Sequence, residues 1–162
     1  MTPPGDAVTP TPDPQRTAEA VRDGMYASDH AVRGLGMAIE AVGPGSATVS
    51  MTVRRDMLNG FAICHGGLVA TLADTAFAYA CNAYNEMTVA SGFSIDLLAP
   101  GREGDRLSAT AREVSLAGRT GVYDIEVLNQ RGERIAVFRG RSYRMKGRAV
   151  VPDPAAPPPP AA

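Results

Sequence analysis

Apolar positions change period along the chain, and each change marks an element. Ala18, Val21 and Met25 recur at spacings of three and four, the period of an amphipathic helix, so Gln15 to Leu35 is predicted helical. Ser28 takes the next place on that stripe and Val32 resumes it; Ser28-Asp29 alternatively caps a second, shorter helix, with Gly34 and Gly36 near its end. Met37 to Val42 is a short apolar strand candidate and Gly43-Pro44-Gly45 a turn. Ala47 to Val53 alternates apolar and hydroxyl residues, as a half-buried strand does. Arg54 to Cys64 reads as a loop containing Asn59-Gly60. After His65-Gly66-Gly67, the run Leu68 to Ala83 is apolar nearly all round, rich in Ala and Leu and poor in β-branched residues. Such a helix is buried on most sides. Four strand-like segments follow: Thr88 to Leu98, Arg106 to Leu116, Thr120 to Asn129 and Arg134 to Met145. Turns separate them at Pro100-Gly101, Gly104-Asp105, Ala117-Gly118 and Gln130-Arg131-Gly132. Alternation is cleanest at Tyr123-Asp124-Ile125-Glu126-Val127.

This pattern predicts an α+β domain, an antiparallel sheet of five to six strands wrapped around one long central helix. One sheet of that size leaves the helix partly uncovered, which favours an oligomer. The folded part is expected over 15–145. Residues 1–14 are dense in Pro, Thr and Asp and residues 146–162 end in a proline run, so both are expected to be unstructured tails.

Composition narrows the classes of function. A formal net charge of -1 offers no global attraction to nucleic acid or an anionic membrane. Neither is expected as a partner, and no cofactor is expected. Two cysteines, Cys64 and Cys81, and two histidines make a thin set of metal ligands, so no metal site is expected. Without a disulfide framework or a signal-like N-terminus, the expected compartment is the cytoplasm.

Asp74 is the most informative residue. It interrupts the apolar helix between Leu72 and Phe77. Asp lowers helix stability by about 0.5–0.7 kcal/mol against Ala, and burying its charge requires compensating partners. Position alone leaves two readings open, a structural aspartate and a catalytic one. The Asn59 to Gly67 segment adds a second feature. Glycines at a helix mouth admit a ligand close to the backbone, and free N–H groups there favour negative charge. Gly66 lies eight residues before Asp74, about 12 Å along the axis. One protomer therefore hardly holds a carbonyl between the two, and a base from a neighbouring chain closes the gap. Cys64-His65 admits a cysteine-nucleophile reading, but adjacent residues of an extended segment face opposite ways. His30 reads as a surface residue.

At these residues the chain resembles the PaaI-type thioesterases of the hot-dog fold. The matching stretches are Met57 to Gly60, Cys64 to Gly67, Leu72 to Asn82, Ala90-Ser91, Ile95 to Gly101, Thr120 to Val127 and Phe138 to Ser142. The resemblance implies hydrolysis of phenylacetyl-CoA or ring-hydroxylated phenylacetyl-CoA to the free acid and CoA, in phenylacetate degradation. It implies a homodimer as catalytic unit, paired into a homotetramer, with the site at the dimer interface. Gly66 of one chain would donate to the thioester carbonyl and Asp74 of the other would act from the opposite side. Asn59 would position the carbonyl or the water, and Thr75 would bond the carboxylate or the water. His65 and Gly67 would support the site. Ala78 departs from related enzymes that carry a hydroxyl there. Arg102, Arg119, Arg141 and Arg144 are candidates for the CoA phosphates, and apolar residues near Asn59 and Leu58 and on the helix, Phe77 among them, for the acyl pocket. Competing readings are a medium-chain acyl-CoA thioesterase, a non-catalytic acyl-CoA-binding module and a dehydratase of the same fold.

Overall fold

The computed structural model describes residues 13–152. Helix α1 (Pro14–Ser28) and the short α2 (His30–Gly34) are separated at Asp29, so the alternative of two helices holds. Asp29 caps α2, its carboxylate accepting from Val32 N–H at 3.2 Å. Strands β1 (Ala38–Gly43) and β2 (Ser46–Thr52) precede a 3-10 turn at Arg55–Met57. The central helix α3 (Gly66–Asn82) follows, then β3 (Thr88–Leu97), β4 (Arg106–Ala117), β5 (Thr120–Leu128) and β6 (Arg134–Arg144).

The six strands form one antiparallel sheet in the order β1-β2-β4-β5-β6-β3. Helix α3 lies across β2, β4 and β5. Leu72, Ala73, Ala76, Phe77 and Ala80 of α3 meet Val49, Met51, Leu107, Ala109, Ile125, Val127 and Phe138 of the sheet in one buried core. Alternation in β5 is as expected: Tyr123, Ile125 and Val127 are buried, while Asp124 and Glu126 face outward against Arg139 and Arg134. No helix among the described residues is long and apolar enough to cross a membrane.

The expected tails fall mostly outside the described residues, with two exceptions. Pro14 opens α1, and Asp13 caps it by accepting from Gln15 N–H at 3.0 Å. Residues 146–152 fold back on the domain, where Met87 N–H donates to Arg148 O at 2.7 Å. Asn85 Oδ1 accepts from Val150 and Val151 N–H, and its Nδ2 donates to Val151 O. Three hydrogen bonds from one side chain hold a stretch whose composition alone does not predict packing.

Two features position the site. Among the described residues, strand β3 pairs on one side only, with β6, and Phe93 is 46%, Leu97 54% and the following Leu98 56% exposed. On α3, Gly67, Ala70, Thr71, Asp74 and Ala78 lie outside the buried face, at helical spacing. The open helix stripe expected from sequence is therefore present, and Asp74 is on it.

Candidate active site

A cavity of about 410 Å³ opens beside the start of α3 and is lined by Asn59, Ile63, Cys64, Gly66, Val69 and Leu97 through Gly101. Its wall is apolar except near Asn59 and Gly66. Gly66 is the first residue of α3, and its N–H has no acceptor among the described residues. This is one of the donors that every helix start leaves over, and the helix dipole adds partial positive charge there. A Cβ on Gly66 would lie 2.6 Å from Leu97 Cδ1, so only glycine lets Leu97 and the helix mouth approach this closely.

The helix start is organised by His65. Its Nδ1 accepts from Gly67 N–H at 3.1 Å, which places the neutral ring's proton on Nε2. Gly67 N–H is taken by this cap, so Gly66 alone of the pair offers a free donor among the described residues. His65 is thus the N-cap of α3. Its capping bond also leaves Cys64 without a base, and burial pushes the Cys64 thiol up. A buried thiol shifted in that direction is not an activated nucleophile, so the cysteine-nucleophile reading falls.

Asn59 is fixed by its own turn. Its Oδ1 accepts from Phe61 N–H at 2.9 Å and Ile63 N–H at 3.4 Å, while its backbone N–H donates to Ile63 O at 2.8 Å. With the carbonyl end occupied, Nδ2 is the end left for a ligand. Asn59 therefore faces the cavity as a hydrogen-bond donor, as Gly66 does.

Asp74 does not line this cavity. Its carboxylate accepts no hydrogen bond from the described residues, and burial raises its pKa above the ordinary aspartate value. The structural reading of Asp74 needs a partner inside the fold, and none of the described residues supplies one. Thr75 is not that partner: it is 8% exposed, turned into the core, and donates to Thr71 O at 2.8 Å. The expected bond from Thr75 to the carboxylate is thus corrected.

Other expectations are corrected by packing. Phe77 is buried in the core against Tyr123 and Phe138, and is not an acyl-pocket residue. Leu58 packs on the core edge and does not line the cavity. Arg144 pairs with Glu86 at 3.1 Å beneath the Tyr84 ring, a structural role. Arg119 bonds Tyr143 Oη at 3.1 Å. Arg102 is exposed beside the cavity-lining Pro100-Gly101, and Arg141 is exposed on β6. His30 is exposed, with Nδ1 3.1 Å from Arg33 Nη2. Sequence reasoning did not pick out Val69, Ile63 and Leu97 as cavity wall. The apolar run gives no sign of which face meets the loop, although Gly66 and Val69 share one by their spacing.

Residues 61–136 match the family model described as the thioesterase superfamily. The chain is 50% identical to the acyl-coenzyme A thioesterase PaaI of Escherichia coli K12 over 123 residues, 76% of this chain and 88% of the relative. The structure of the E. coli PaaI protein from the phenylacetic acid degradation operon superposes with a TM-score of 0.82 at 46% identity, covering 84% of this chain and 99% of that one. A Streptococcus mutans protein solved bound to acetyl CoA matches with a TM-score of 0.66 at 26% identity, covering 69% and 90%. The chain belongs to the thioesterase superfamily, as a hot-dog acyl-CoA thioester hydrolase of the PaaI type.

Proposed function

We propose that the physiological substrate is phenylacetyl-CoA or a ring-hydroxylated phenylacetyl-CoA, cleaved to the free acid and CoA during phenylacetate degradation. The operon of the E. coli relative supports the pathway, and the apolar wall of the cavity at Gly66 suits an aryl-acyl group. The observation that carries the reading is the separation of the site's two halves. Donors Gly66 and Asn59 line the cavity, and the unpartnered carboxylate of Asp74 stands elsewhere, on the open stripe of α3.

A homodimer joins the halves. The unpaired edge of β3, with Phe93, Leu97 and Leu98 exposed, is the apolar surface for a second copy, and Leu97 touches Gly66. Two dimers then pair as a tetramer. In the dimer, Gly66 N–H and Asn59 Nδ2 hold the thioester oxygen, where negative charge develops. The partner subunit's Asp74 acts on the carbonyl carbon from the other side. Either it takes a proton from water as the C–O bond forms, or it attacks directly to give an anhydride that water opens. In both routes the C–S bond breaks and CoA leaves as a thiolate, so no strong general acid is needed. Arg102, at the cavity rim, is the best placed of the candidate arginines for a CoA phosphate.

A panel of acyl-CoA substrates tests the reading, with a thiol reagent reporting free CoA. Phenylacetyl-CoA and its hydroxylated forms are expected to give the highest kcat/KM. Higher kcat/KM for medium-chain acyl-CoA would assign the medium-chain activity instead. Release of no CoA from any of them would leave a binding module.

A further inference from the structure

We propose that Phe93 selects aryl-acyl groups, the free face of its ring stacking on the ring of the substrate beside Asp74. The inference rests on the reading of Asp74 as the carboxylate of hydrolysis and of an aryl-acyl-CoA as substrate. It adds that one subunit supplies both the carboxylate and the aromatic surface.

The register of β3 against α3 sets the position. Strand and helix run in opposite directions. Leu97 meets Gly66 at one end. At the other, Asn82 Nδ2 donates to Thr88 O and Thr88 N–H donates to Asn82 Oδ1, both at 2.9 Å. Asp74 is midway along α3, and Gly92-Phe93 is midway along β3. The pairing with β6 then shows which way the ring faces. Phe93 is opposite Gly140, and residues directly opposite share a face of the sheet. A Cβ on Gly140 would lie 2.8 Å from the Phe77 ring, so that face is the one under α3. Phe77 follows Asp74 by three residues and is its neighbour along the helix. Asp74 and Phe93 therefore flank the same ring, that of Phe77.

Phe93 is held by one face and open on the other. It stacks on Phe138 with centroids 4.7 Å apart and planes 25° from parallel. Phe138 is buried and packs in turn on Phe77. A ring backed in this way loses little freedom on binding, and its open face suits an offset stack with a second ring. The cavity at Gly66 has no such surface, because Ile63, Val69, Leu97 and Leu98 make its wall aliphatic. In phenylacetyl-CoA one methylene separates ring from carbonyl. With the carbonyl carbon against Asp74, the ring lies between that aliphatic wall and Phe93. Phe61, 86% exposed at the tip of the Asn59 turn, is the nearest rival, and it does not line the cavity.

Phenylacetyl-CoA and cyclohexylacetyl-CoA carry rings of similar size, and only the first has a π face. The wild type is expected to prefer phenylacetyl-CoA in kcat/KM by about fivefold, the effect of one aromatic pair. Phe93→Leu and Phe93→Met keep an apolar side chain without a ring, and each should bring the ratio close to one. Phe93→Tyr and Phe61→Leu should preserve the wild-type ratio. A preference that survives in both Phe93→Leu and Phe93→Met would overturn the proposal, and its loss in Phe61→Leu would move the contact to the Asn59 turn. Parallel loss on both substrates with the ratio kept, and subunits dissociating in sedimentation, would mean that Phe93 only packs the dimer. A wild type that hydrolyses both substrates without preference would overturn the proposal and leave the Asp74 reading standing. Hydrolysis of hexanoyl-CoA but of neither ring substrate would remove the aryl-acyl reading itself.

Discussion

Asp74 combines two properties that conflict in a purely structural residue. It is a carboxylate in a helix that otherwise forms the core, and burial raises its pKa with no compensating bond from the described residues. A raised carboxylate pKa means that the folded state holds its proton more tightly than the unfolded chain. Stability linked to Asp74 is therefore greatest at pH below the ordinary aspartate pKa, and is lost as pH rises through the raised value. At neutral pH the ionised group destabilises the fold. Asp74→Asn is thus expected to raise Tm at pH 7.5 while abolishing turnover, and the gain in Tm should shrink as pH falls toward about 4. The proposed reaction uses the ionised form, so kcat/KM of the wild type should fall on the acid side with a pKa above that of ordinary aspartate. Thermal melts and a pH-rate profile measure both, and a lowered Tm in Asp74→Asn would make the residue structural. The anomaly at Asp74 was legible in sequence because an acid in an apolar helix breaks the pattern. Which of its neighbours face outward was not: Thr71 is half-buried and Thr75 buried, a difference set by the rotation of α3 against the sheet and so by long-range packing.

Among elements, the loops that frame the cavity are held by polar contacts at their bases. Asp105 is 4% exposed and accepts from Arg131 Nη1 at 2.9 Å, Arg102 N–H at 2.9 Å and Gln130 Nε2 at 2.8 Å. The Arg131 guanidinium and these N–H groups hold its pKa at about 2. Here the shift is downward, so the stability is present above the ordinary aspartate pKa and is lost as pH falls from about 4 toward 2. Asp105→Asn is expected to destabilise the fold by roughly 2 kcal/mol at pH 7 and by nothing measurable near pH 2, as read from urea melts. A second contact joins α1 to the C-terminal segment. A Cβ on Gly24 would lie 2.2 Å from Val151 Cγ1. Glycine inside a helix is less stable than alanine by about 1 kcal/mol, so the packing of Val151 explains why it stands there. Gly24→Ala should lower Tm in the wild-type background and raise it beside Val151→Gly. The sign reversal distinguishes this contact from a local helix effect. Periodicity made every helix and strand legible, because burial on one face writes itself into the residue pattern. The docking of residues 146–152 was not legible, because it depends on Asn85 taking φ 58° and offering its side chain to the backbone of that segment.

For the whole molecule, the proposed dimer has a consequence that no single-chain site shares. If Gly66 and Asp74 of one site come from different chains, two inactive variants should complement each other. Gly66→Pro removes the free N–H at the first helical position, where proline is well tolerated, and displaces only the half-exposed Leu97 side chain. Asp74→Asn removes the carboxylate. Mixed after partial denaturation and refolding, the two chains form mixed dimers. In each mixed dimer one site has lost both groups and the other has kept both. Random pairing makes half of the dimers mixed, so activity should return to about a quarter of the wild-type value. Each variant refolded alone stays inactive. If donor and carboxylate belonged to one chain, every site would lack one group and no activity would return. The strand order and the open β3 edge motivate this test, because they place the exposed apolar residues next to Gly66 and away from the sheet's other end. Neither was legible in sequence, since a strand's period of two reports which face is buried and not which strand lies beside it. A chain that recovered no activity on mixing, while exchange of subunits was verified by mass, would place the whole reaction within one protomer.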